Sequence, residues 1–102
     1  DFIQIEKLIF NRINSKYLDK ILKYLIHLPK LHTLILSPID YILNSTIIFT
    51  QMFRLKKLKY CKLTYRVKDN KNVLLIDFDQ YEQSSIEYLI INSPSRYESF
   101  QK

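Results

Sequence analysis

Leu31-His32-Thr33-Leu34-Ile35-Leu36 reads apolar-x-x-apolar-x-apolar, and the same pattern returns three more times. The other copies are Ile5-Glu6-Lys7-Leu8-Ile9-Phe10, Leu58-Lys59-Tyr60-Cys61-Lys62-Leu63 and Ile86-Glu87-Tyr88-Leu89-Ile90-Ile91. Their starts lie 26, 27 and 28 residues apart. A self-similar period of this length marks stacked supersecondary units, because one unit alone cannot bury its apolar face.

Side chains alternate between faces along a strand. The spacing therefore predicts an inward set of Leu8 and Phe10, Leu34 and Leu36, Cys61 and Leu63, and Leu89 and Ile91. The leading residues Ile5, Leu31, Leu58 and Ile86 are expected to pack inward at the turn into each strand. Cys61 takes a leucine place, where a free cysteine acts as a small hydrophobe.

The connections carry a different period. From Ser15 to His27, Leu18, Ile21, Leu22, Leu25 and Leu28 recur at three- and four-residue steps and predict a helix. Asn14 or Ser15 suits its cap, and Pro29 stops it. A second helix is expected from Asn44 or Ser45 to Leu55, with Ile47, Ile48, Met52, Phe53 and Leu55 on its buried side. The third connection departs from this plan. Arg66 to Asn72 reads as a polar loop, and Val73 to Phe78 reads as a short extra strand. The residues after Ile91 are expected to open a further, unfinished unit.

Size and composition set bounds. The chain has 102 residues, enough for one domain spanning 1–102, and 47% are apolar, too many for a disordered tail. It starts at Asp1 without Met, and the first motif follows almost at once, which points to a segment of a longer protein. Bare sheet edges are then expected at both ends, with poor solubility of the isolated piece. No apolar run reaches the roughly 18 residues of a membrane span. A single cysteine excludes an internal disulfide and favours a reducing, intracellular setting. With no glycine, a phosphate-cradling glycine loop cannot form.

The form of Leu28-Pro29-Lys30-Leu31-His32-Thr33-Leu34-Ile35-Leu36 resembles leucine-rich repeats of the long, ribonuclease-inhibitor-like type. Its continuation to Ile42, with Leu58 to Tyr65 and Ser85 to Asn92, is similar to the repeat regions of F-box proteins. The resemblance implies an α/β leucine-rich-repeat solenoid. Short parallel strands at 5–10, 31–36, 58–63 and 86–91 would line its concave side, with helices or loops on the convex side. It also implies the substrate-binding segment of a ubiquitin-ligase subunit. A protein substrate would lie on the concave face, and the ligase adaptor would be met through an F-box outside these residues. One family feature is missing. The Asn or Cys that serves the turn after each strand is replaced by Ile13, Ile39, Arg66 and Pro94.

The outward strand positions form columns and are the candidate partner-binding residues. Lys7, Thr33, Tyr60 and Tyr88 make one column, and Ile9, Ile35, Lys62 and Ile90 the next. Asn11, Ser37, Thr64 and Asn92 line the edge. Apolar and aromatic residues flanked by polar ones suit a protein-binding hot spot. Two rivals stand behind this reading. One is a scaffold or inhibitor repeat protein with no link to ubiquitin. The other is a nucleic-acid-binding domain, since residues 54–71 carry eight basic groups against Asp69 alone. No motif fixes a catalytic residue, and no cofactor is implied. His27 and His32 lack companion ligands, and Asp77 and Asp79, placed on one side of an extended segment, lack a third, so no metal site is expected. The chain reads as a binding protein, not an enzyme.

Overall fold

Each motif forms a strand, and each strand begins two residues inside its motif. In the computed structural model, which describes residues 4–42, 45–66, 76–93 and 96–102, the strands are β1 (Lys7–Ile13), β2 (Thr33–Pro38), β3 (Tyr60–Thr64) and β4 (Tyr88–Ser93). The two-residue displacement from the expected bounds has a local cause. The heads of the second and third motifs close turns: the N–H of Leu31 donates to the Leu28 carbonyl, and that of Leu58 to the Leu55 carbonyl, both at 3.3 Å. Leu31, Leu58 and Ile86 are still buried there, as their spacing predicts.

A repeated hydrogen-bond device then sets the register. The Glu6 carbonyl accepts the N–H groups of His32 and Thr33, the His32 carbonyl those of Lys59 and Tyr60, and the Lys59 carbonyl those of Glu87 and Tyr88. From this point β1 to β4 pair in parallel and in chain order. Parallel neighbours need a crossover, and each crossover here contains a helix. These are α1 (Leu18–Leu25), α2 (Ser45–Phe53) and α3 (Phe78–Gln83). A 3₁₀ turn, Ser15–Tyr17, precedes α1, and the Asn14 side chain accepts the Lys16 N–H at its start. The fold is thus α/β, with a mostly parallel five-stranded sheet and three helices among the described residues.

The helices share one core with the inward strand residues. Leu34, Leu36, Cys61, Leu63, Leu89 and Ile91 are buried against Leu18, Leu22, Leu25, Phe49, Met52 and Tyr81, while Leu8 and Phe10 pack against that cluster half-buried. In α2 the buried residues are Ile48, Phe49 and Met52; Ile47, expected inside, is exposed. A helix turns about 100° per residue, so Ile47 cannot share the face of the Ile48–Met52 pair and of Phe49 at once.

Two expectations fail in the last third. The strand expected at 73–78 lies largely outside the described residues, but its end does not: Phe78 begins α3. Asp77 is a helix cap whose carboxylate accepts the Gln80 N–H at 3.2 Å, so Asp77 and Asp79 do not flank an extended segment. The second failure is at the edge. The residues after β4 do not open another parallel unit. They form β5 (Arg96–Gln101), which turns back and pairs antiparallel with β4, so β4 is not the bare edge that was expected. Phe100 holds β5 in place, its ring centroid 5.5 Å from that of Phe78 and 6.1 Å from that of Tyr81. Lys102 adds a cationic cap to α3, its Nζ donating to the Ser84 carbonyl at 2.7 Å and lying 4.7 Å from the Tyr81 ring centroid.

Candidate functional site

With the helices on one side of the sheet, the other side carries the eight candidate residues, and the pairing aligns them as expected. Lys7 is opposite Thr33, Thr33 opposite Tyr60, and Tyr60 opposite Tyr88. Ile9 is opposite Ile35, Ile35 opposite Lys62, and Lys62 opposite Ile90. Asn11 faces Ser37 and Thr64 faces Asn92 at the strand ends. Three neighbours that β5 adds went unforeseen because β5 itself did: Gln101 extends the first column, Ser99 the second and Tyr97 the third. No clear alternation announces this strand, because of the residues on its opposite side only Phe100 is apolar.

Exposure grades across this surface. Ile9 is 49% exposed and Tyr88 44%, although both are large and apolar or aromatic. Thr33, Ile35, Tyr60, Lys62 and Ile90 are half-buried by their strand neighbours. None of the eight joins the core cluster. The polar links are few: the Gln101 Nε2 donates to the Tyr88 hydroxyl at 3.2 Å, and the His32 Nδ1 lies 2.8 Å from the Thr33 Oγ1. Lys7 and Lys62 supply positive charge and form no ion pair among the described residues. The surface can offer apolar contact, two tyrosine hydroxyls and two cations, which suits a folded or extended protein chain with acidic neighbours.

The basic block of residues 54–71 is divided by the fold. Arg54, Lys56 and Lys57 rim an apolar groove of about 430 Å³ floored by Leu25, Leu28 and Leu55. Lys59 lies 3.6 Å from Glu87 at the strand starts. Lys62 is on the open face, and Arg66 lines cavities at the opposite strand ends.

Two groups of reactive type are structural. Cys61 is fully buried, and desolvation pushes its thiol well above its ordinary range, so it is no nucleophile. Tyr81 donates its hydroxyl to the Glu87 carbonyl at 3.3 Å, and burial, followed by the nearby Glu82 charge, raises its phenol. Of the turn positions Ile13, Ile39, Arg66 and Pro94, the first three bond through the main chain: the Ile39 N–H donates to the Ile13 carbonyl at 2.8 Å, and Arg66 bridges to Tyr41; Pro94 lies outside the described residues. No helix among the described residues is long and apolar enough to cross a membrane.

No family model matches this sequence, and no curated protein or solved structure matches it either.

Proposed function

We propose that this chain is a leucine-rich-repeat segment whose open sheet face recognises a protein. The observation that carries the reading is the in-register column set. Equivalent residues of four successive units stand side by side on a surface that no helix covers among the described residues. Exposed Ile9 and Tyr88 on such a surface expend apolar area that a partner would bury. The chain has no catalytic role in this reading; it holds a partner for other subunits to act on.

The finer reading is the substrate-receptor part of an F-box ubiquitin ligase. It rests on the likeness of Leu28 to Ile42, Leu58 to Tyr65 and Ser85 to Asn92 to repeats of that family. The full-length protein should then co-purify with the ligase adaptor, and a bound protein should be lost when Ile35→Asp and Lys62→Glu are introduced together. Loss of the partner without any adaptor in the complex would favour a scaffold or inhibitor. A partner retained by the double variant would remove the open face from the account. Nucleic-acid binding has weaker support, because the fold spreads the described basic residues between 54 and 66 over four places.

A further inference from the structure

The strand ends hold a second feature, separate from the eight open-face residues. Arg12 has φ 58°, in the left-handed region. It forms the bulge between Asn11, opposite Ser37, and Ile13, opposite Pro38. Glycine or asparagine tolerates that conformation far better than arginine does, and Asn11 is only one residue away. Strain of this kind persists where surrounding structure holds it, and it clusters at ligand clamps; a bulge re-aims the side chain it carries.

Arg12 lines a cavity of about 590 Å³ together with Asn11, Ser37, Pro38, Ile39 and Arg66. Arg66 also borders the adjoining cavity of about 330 Å³, which Thr64 and Asn92 share. Neither guanidinium has a carboxylate in ion-pair range among the described residues. Two exposed cations thus share one cavity without a counter-charge among the described residues. A guanidinium is a planar fork of donors that matches a phosphate or carboxylate on two bonds. One carboxylate occupies one fork. A phosphate monoester has three terminal oxygens and a charge near −2, enough for both forks and for the Asn11 amide or Ser37 hydroxyl. The carboxyl ends of parallel strands are also where open α/β sheets place their ligands.

We propose that Arg12 and Arg66 form a phosphate-monoester site, and that it takes a phosphorylated side chain of the protein bound on the neighbouring face. The source of the phosphate rests on the open-face reading; the site itself does not.

The test is an NMR titration of the chain with inorganic phosphate and, separately, with N-acetyl-O-phosphoserine amide. The expected result is saturable movement of the Asn11, Arg12, Ser37 and Arg66 amides, with tighter binding of the phosphoserine compound. Arg12→Gly and Arg66→Gln should each weaken it about tenfold. Arg12→Gly should also raise the urea midpoint, since glycine relieves the backbone, so lost binding would not reflect lost folding. No saturable movement, or unchanged affinity in both variants, would overturn the site. Phosphoserine amide binding no tighter than inorganic phosphate would overturn the side-chain assignment. The titration needs no partner, so its failure is distinct from failure to capture a protein on the open face.

Discussion

Lys59 and Glu87 meet twice: the Glu87 N–H donates to the Lys59 carbonyl at 2.8 Å, and the Lys59 Nζ lies 3.6 Å from the Glu87 Oε1. The first contact repeats one made by Lys59 itself on His32, and by His32 on Glu6. The second occurs once and is half exposed. The two contacts therefore differ in weight. Glu87→Gln should change stability by about 0.5 kcal/mol or less, because solvent screens an exposed pair. Glu87→Pro, which deletes the N–H at the start of β4, should cost about 2 kcal/mol or more. Equal effects in urea unfolding would mean that the register is not set at this point.

Leu34 and Ile35 are adjacent and chemically alike, but they face opposite sides of β2. Leu34 is fully buried, and Leu34→Ala should cost about 2–5 kcal/mol through lost transfer energy and the cavity left behind. Ile35 is half-buried on the open face, and Ile35→Ala should cost about 1 kcal/mol or less while weakening partner capture. The reverse order would place the faces wrongly.

That pair also shows how much of the fold was legible. A period-two pattern reports burial directly, so the inward ladder and all eight open-face positions could be read from leucine spacing. Hydrogen bonding was less legible. Leu31 and Leu34 are both buried, yet only the second lies in a strand, and no hydropathy pattern separates a turn anchor from a strand residue. The run ending at Phe78 is apolar enough to suggest a strand, while the stronger local signal was Asp77 with Gln80 three residues on, a capping arrangement. Only Phe100 of β5 is both apolar and inward, so tertiary packing decides that strand. Nothing in sequence marks Arg12 as left-handed, since Asn11 and Asn14 are the residues that chemistry would choose.

Asp40 ties the loop after β2 to the start of the first crossover. Its carboxylate accepts the Ser15 N–H at 2.7 Å and the Ser15 hydroxyl at 2.9 Å. The Ser15 amide is the main reason that the Asp40 carboxyl lies below its ordinary range, against partial desolvation, which raises it. A lowered folded-state pKa stabilises fully above the unfolded value of about 3.9, and that stabilisation is lost as pH falls through the folded value. Asp40→Asn should therefore be less stable than the parent near neutrality, with the gap closing below about pH 4. A gap that stays constant into strong acid would show that the charge at Asp40 contributes nothing.

The claim that the open sheet face is the recognition surface is tested most directly by photo-cross-linking in cells. Tyr88, 44% exposed on that face, and Tyr24, 65% exposed on α1, are each replaced by benzoylphenylalanine in the full-length protein. A discrete cross-linked protein is expected from position 88, abolished by Ile35→Asp with Lys62→Glu, and no such product from the more exposed position 24. The same product from both positions, or a product from position 24 alone, would contradict it.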